Sequence, residues 1–244
     1  AAEAGMAPIT LQRLAAFVRN PVQEFFRQRL RVSFGELEAA DTDDEAFAGQ
    51  GLQRWAWIDE VLRACRRTVA ASTRAVPDEP IEDLLQAQVG RLERAGRLPL
   101  AGPGRLAQAQ LTQTLRPMAA AWRSALLELP VECDSLALRL VHPHADGVVF
   151  DDVLAARRTA AGAGLPVWIE LQASKLADAG GKTAGPLPRP DKLVSAWLRC
   201  LASAACGCPT GGIVIGEAAL VRLDAIEPGD ALPVLLDLML AYHD

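Results

Sequence analysis

No stretch of this 244-residue chain approaches the run of about 18 apolar residues that a membrane-crossing helix requires, so no such span is expected. The N-terminus has neither the basic patch nor the apolar segment of a secretory leader and opens on Ala1, which predicts a piece of a longer cytoplasmic polypeptide. No G-x4-G-K-[ST] phosphate loop occurs: Gly207, Gly211 and Gly212 stand close together, but Thr210 follows no lysine. There is no C-x2-C pair and no repeat of fixed period. Positive charge is also scarce. The 25 lysines and arginines against 30 acidic residues leave a net charge of −5, whereas a domain that grips nucleic acid unaided carries a strongly basic face. By itself the chain is expected to bind DNA weakly.

Half of the residues are hydrophobic, enough for a sizeable core in one domain. The first part reads as helices, over roughly 10–19, 22–31, 51–74, 80–95 and 103–128. Thr10 is placed to cap the first, with Leu11, Leu14, Phe17 and Val18 on one face. Pro21 keeps Asn20 out of the α region and suits the first turn of a second helix, whose inner face is expected to carry Phe25, Phe26 and Leu30. The long third helix would bury Leu52, Trp55, Ile58, Leu62, Cys65 and Val69, and Pro117 predicts a kink or break in the fifth. Turns are expected at Val76-Pro77-Asp78-Glu79-Pro80 and Leu98-Pro99. From Leu129 the pattern changes to short strands, at Val131 to Val141, Gly147 to Phe150, Val167 to Leu171, Ile213 to Ile215 and Leu220 to Leu223. A helix from Leu193 to Ala205 lies between the third and fourth, and Asp230 is positioned to cap a last helix carrying Leu235, Leu236, Leu238 and Met239 inward. The expected class is α/β: a single domain over 1–244, mainly helical in 10–128 and sheet-containing in 129–244, its helical half packed on a mixed central sheet, parallel where the crossover helix intervenes. Ala177 to Pro190, rich in glycine and proline, reads as a mobile loop.

The pattern Leu11-x2-Leu14-x2-Phe17-x3-Pro21-x3-Phe25-x4-Leu30 resembles the entry to the C-terminal nuclease-like domain of the RecC (exodeoxyribonuclease V gamma) family. The likeness continues through the acidic linker Asp41 to Glu45, Phe47, Gly51-Leu52-Gln53-Arg54-Trp55, and Arg94-Ala95-Gly96-Arg97-Leu98-Pro99 followed by Gly102 and Gly104, which is similar to the family's Gly-x-Leu-Pro turn between helices. It weakens after Val131, and the segment from Phe150 to Arg189 reads as an insertion. What the resemblance implies is a subunit of a helicase-nuclease with RecB-type and RecD-type partners, cytoplasmic, acting beside DNA in double-strand break repair. It also implies a fold related to the PD-(D/E)xK nucleases, which need an Asp on one strand and Glu-x-Lys on the next to hold Mg²⁺ and activate water.

Against that requirement the strand Val167 to Gln172 supplies Glu170, but Gln172 stands where lysine is usual. The strand 136–141 offers no carboxylate, and Trp55 stands where active relatives have the histidine of Gly-x3-His. The expectation is a site with no catalytic residue and no metal, degenerate at Trp55, Glu170 and Gln172. Some relatives of the fold hold an iron-sulfur cluster with a cysteine before the N-terminal proline; here that position is Asn20, and Cys200, Cys206 and Cys208 read as small hydrophobes. Reduced thiols are expected for all five cysteines. His142-Pro143-His144 precedes an Asp146-Gly147 turn and lacks a third ligand. Ser174 and Lys175 next to Asp178 are not a hydrolase pair. Arg54, Arg63, Arg66, Arg67 and Arg74 are candidate contacts to DNA or a partner, against the plainer reading of a solvated helix face. Two alternatives remain open: a Mg²⁺-dependent nuclease using Glu170 with Asp146, Asp151 or Asp152, and a stand-alone DNA-binding module.

Overall fold

The computed structural model describes residues 7–30, 51–70, 81–162, 164–178 and 186–243. Helices come first: α1 (Leu11–Arg19), α2 (Pro21–Arg29), α3 (Gly51–Ala70), α4 (Ile81–Arg94) and α5 (Ala101–Glu128). Then follow β1 (Val131–Glu132), β2 (Leu136–Val141), β3 (Val149–Leu154), β4 (Arg157–Thr159), β5 (Val167–Lys175), β6 (Ala177–Asp178), β7 (Leu187–Pro188), α6 (Pro190–Ala205), β8 (Gly211–Glu217), β9 (Ala219–Leu223) and α7 (Pro228–His243). Five strands make one sheet in the order β1-β4-β5-β8-β9. Among the described residues of this sheet only β5 and β8 run parallel, and α6 is the crossover between them, since parallel neighbours cannot be joined by a tight turn.

Both faces of that pair are covered. Leu171, Ala173, Ile213 and Ile215 face a core built with α3, α4 and α5. Trp168 and Val214, one residue out of phase, face a second core built with α1, α6, α7 and the β2–β3 hairpin. Double coverage explains the unbroken apolar run Gly211 to Gly216, all of it buried, where a half-exposed strand would alternate.

The helix ends follow local chemistry. The Thr10 hydroxyl accepts from Arg13 N at 3.3 Å, and the Asn20 side chain accepts from Gln23 N at 3.1 Å ahead of Pro21. Several expectations need correction. Helix α5 runs through Pro117 without a break. Pro117 cannot donate to the Gln113 carbonyl, and both residues lie on the exposed side of the helix, where solvent is within reach of that carbonyl. Helix α3 buries Trp57 and Val61, whereas Leu52 is 80% and Trp55 41% exposed. Its inward stripe is centred on Ile58, Val61 and Cys65, which puts Leu52 on the far side. Phe25 and Leu30 of the second helix region are also exposed, and Phe26 is half-buried. The last helix begins at Pro228, so Asp230 lies in its first turn, still well placed for the helix dipole, rather than at the cap.

Corrections in the sheet bear more directly on function. The expected strand Val131 to Val141 is two strands in different sheets: β1 pairs with β4, while β2 pairs with β3 in a hairpin closed at Gly147, where φ is +77°. Residues 136–141 therefore do not neighbour the Glu170 strand. The segment 150–189 is no insertion, because it contains β5, the middle strand of the main sheet. The ends of the expected loop pair as β6 and β7, with Ala177 opposite Pro188 and Asp178 opposite Leu187. Arg74, the acidic linker with Phe47, and the turn at 76–80 lie outside the described residues.

Candidate functional site

Trp55, Glu170 and Gln172 share one open cleft of about 840 Å³, between α3, the second half of β5 and the first half of α6. Alternation along β5 sends Trp168, Glu170, Gln172 and Ser174 to the α6 side of the sheet. Trp168 is buried there, and the next three line the cleft. From α6, Arg199 reaches back: its guanidinium stacks on the Trp168 ring, 5.2 Å from the centroid, and donates to the Glu170 carboxylate. Stacking removes the freedom that makes exposed ion pairs weak, so this half-buried pair holds Glu170 compensated.

Other groups around the cleft were not anticipated. Arg19 donates to Ser195 Oγ at 2.7 Å, tying α1 to α6. Asp191, in the first turn of α6, takes ion pairs from Lys192 (3.1 Å) and Arg189 (3.3 Å), and these cations hold its carboxyl below the usual range, Lys192 contributing most. Asp59 pairs with Arg63 one turn along α3. The lining thus holds five cationic side chains, Arg19, Arg63, Arg66, Lys192 and Arg199, against three carboxylates, Asp59, Glu170 and Asp191. On a chain with net charge −5, this is a locally positive place. One signal of Arg199 was present in the sequence, since it is the sole charged residue between Lys192 and Glu217.

The arginine group splits. Nine residues at about 100° each set Arg54 half a turn away from Arg63, so the two cannot share a surface. Arg54 points to the sheet, where it donates to both Glu217 oxygens at 2.9 Å and to Thr114 Oγ1 at 2.8 Å; the bonds to Glu217 raise its already high pKa. Arg63 and Arg66 border the cleft, and Arg67 borders a separate hollow beside α4 with Glu60, Arg91 and Arg97.

Mg²⁺ would need several oxygen ligands in near-octahedral geometry, and the residues present do not fit it. Glu170 supplies one carboxylate already matched by Arg199, and Gln172 adds no charge. Asp151 and Asp152 belong to the β2–β3 hairpin, where Asp152 accepts from Leu11 N and Val153 N, both at 2.7 Å. Asp146 sits in the turn of that hairpin. Among the described residues, no three His, Cys, Asp or Glu side chains converge.

The match that decides the family spans the whole of this architecture: the model for the RecC C-terminal domain covers residues 6–244. The chain belongs to the RecC C-terminal domain family. A comparison with curated proteins finds no match. Within this RecC C-terminal domain no helix among the described residues is long and apolar enough to cross a membrane.

The cysteines of this family member separate by burial. Burial pushes the Cys65 and Cys200 thiols up to about 11, and Cys206 is raised for the same reason, while Cys208 is exposed. At about pH 8 a thiol reagent is expected to modify Cys208 first and to reach Cys65 and Cys200 only after unfolding. A folded pKa above the ordinary 9.0 stabilises the fold fully below pH 9 and loses that contribution as pH rises towards 11. Stability should therefore fall across that window, and denaturant midpoints measured at pH 8, 9, 10 and 11 (about one-unit steps) would check it.

Proposed function

We propose that the chain is a catalytically silent, nuclease-like packing and docking domain of a RecC-type exodeoxyribonuclease V gamma subunit. It would work in the cytoplasm with RecB-type and RecD-type subunits, which supply ATP hydrolysis and cleavage, beside the path of unwound DNA in double-strand break repair. The observation that carries this reading is the Glu170–Arg199 pair. In the place where a nuclease of the PD-(D/E)xK type would need a metal-binding carboxylate and a lysine, this chain has a neutralised carboxylate, Gln172 and the indole of Trp55. The order β5, α6, β8, with its parallel pair, supports the nuclease-like ancestry; the −5 charge supports dependence on partners for DNA contact.

The purified chain is expected to leave linear duplex and single-stranded DNA intact with Mg²⁺ or Mn²⁺ and to bind DNA weakly, with affinity falling as salt rises. It should co-purify with RecB-type and RecD-type subunits. Metal-dependent cleavage lost in Glu170→Ala would overturn the silent-site reading, and tight DNA binding without any partner association would overturn the docking role.

A further inference from the structure

At the end of α6 away from the cleft, two thiols stand one residue apart. The chain leaves the helix through Cys206-Gly207-Cys208, where Gly207 N donates to Ala204 O and Cys208 N to Ser203 O, both at 2.9 Å, and φ at Gly207 is +78°. Such a nested pair of bonds around a left-handed residue is the Schellman ending, which turns the side chain of its last residue back over the final helical turn, here over Ser203. Cys206 lies three residues after Ser203 and so on the same face. Helical backbone of either hand sets residues i and i+2 about 5.4 Å apart at Cα, inside the roughly 4.4–6.8 Å that a disulfide spans. Access differs between the two: Cys208 is exposed, while Cys206 is half-buried with its Sγ 3.8 Å from the Arg139 carbonyl oxygen. Cys65 and Cys200 are buried.

We propose that Cys206 and Cys208 form a reversible oxidation site, which closes an intrachain disulfide on meeting a hydroperoxide and reopens with a small thiol reductant. It stands apart from the cleft and does not depend on the silent-site reading. Exposed Cys208 reacts first. Its thiolate attacks one peroxide oxygen, the O–O bond breaks, Cys208 becomes a sulfenic acid, and the departing hydroxide takes up a proton as water. Cys206 then attacks the Cys208 sulfur, forming the S–S bond and expelling the sulfenic oxygen as hydroxide, which takes the Cys206 proton as a second water. Two thiols and one hydrogen peroxide thus give one disulfide and two waters, with two electrons passing from sulfur to oxygen. Burial, and after it the charge of Cys208, holds the proton on Cys206 above the ordinary thiol range, which suits it to the second step and not the first. With one residue between them, Cys206 is held beside the sulfenic acid, so closure outruns further oxidation. An exposed disulfide is also the readily reduced kind, as a reversible site requires.

The test treats the reduced full chain with hydrogen peroxide, blocks remaining thiols with iodoacetamide in denaturant, and maps tryptic peptides by mass spectrometry. Trypsin leaves Cys200, Cys206 and Cys208 together on residues 200–222, apart from Cys65 and Cys133. That peptide is expected to lose two hydrogens, to carry a single alkyl group at Cys200, and to accept two more after dithiothreitol, with no covalent dimer on a non-reducing gel. Cys206→Ser should abolish the two-hydrogen loss and leave Cys208 to oxidise further, to the sulfinic acid. Cys208→Ser should slow oxidation of the peptide about tenfold, because the thiol that remains is half-buried and holds its proton. Serine nearly matches cysteine in bulk, and circular dichroism checks the fold of each variant. A disulfide to Cys200 in place of Cys206, sulfinic acid at Cys208 of the parent while Cys206 stays free, disulfides only between molecules, or no oxidation of the pair would each overturn the proposal.

Discussion

Gly212→Ala is expected to cost about 3 kcal/mol or more, or to prevent folding altogether. A Cβ at that position would lie 2.1 Å from one carbon of the Trp168 ring and 2.6 Å from two others. The indole has nowhere to go. It is 1% exposed, and Arg199 covers one of its faces. Both residues are also central to the sheet, where Trp168 and Gly212 are directly opposed on the parallel pair, so the backbones cannot separate without breaking that ladder. Chemical denaturation with far-ultraviolet circular dichroism would measure the loss, and combining Gly212→Ala with Trp168→Phe should recover part of it by making room. If Gly212→Ala alone denatures within about 0.5 kcal/mol of the parent, the interlock of Trp168 on Gly212 is wrong. Because Trp168 is the platform for Arg199, a tolerated variant would also be expected to loosen the Glu170 pair.

Arg158→Ala should cost about 3 kcal/mol by the loss of a buried guanidinium and its charged hydrogen bonds, the one to the buried Leu129 carbonyl above all. Arg158 is 6% exposed and its fork joins the two halves of the fold: Nε donates to Leu129 O at 2.7 Å, Nη2 to Pro130 O at 3.1 Å and Nη1 to Glu132 at 2.7 Å. Leu129 and Pro130 are the exit from α5, and Arg158 sits on β4, so removing the fork loosens the tie between the end of α5 and the sheet edge. Arg158→Lys keeps the charge but cannot meet three acceptors in one plane and should restore little. The control is Arg222→Ala. Arg222 also bridges α5 and the sheet, through two bonds to Glu128, but both side chains are about half exposed, so the expected loss is below about 1 kcal/mol. Equal effects at Arg158 and Arg222 would show that burial is not what gives the first its weight.

Much of the architecture was legible because local rules were enough. Thr10 and Pro21 mark helix starts through capping and fixed φ, the 3.6-residue period outlines α3 to α6, and the unbroken apolar run before Glu217 marks a strand buried on both faces. That Glu170 and Gln172 share one face of β5 was legible in the same way, since a spacing of two matches the alternation of a strand. The errors share a cause. Period-2 patterning identifies β2 but not its partner, and so 136–141 was assigned to the wrong sheet. Periodicity likewise gives an apolar stripe without its centre, and so Trp55 was placed in the core when it borders the cleft.

The sequence by itself determined the class, the family and the absence of a lysine beside Glu170, all of which depend on residue identity and short spacings. Only the tertiary structure decided what meets across the chain: Arg199 on Glu170 from 29 residues away, Arg54 turned to Glu217 rather than outward with Arg63, and β4 laid against the start of β5 alone. Those meetings depend on which strand lies next to which and how far each extends. Neighbouring residues carry no record of that, because the same alternation and the same helical period satisfy many pairings, and the packing of the whole chain selects one.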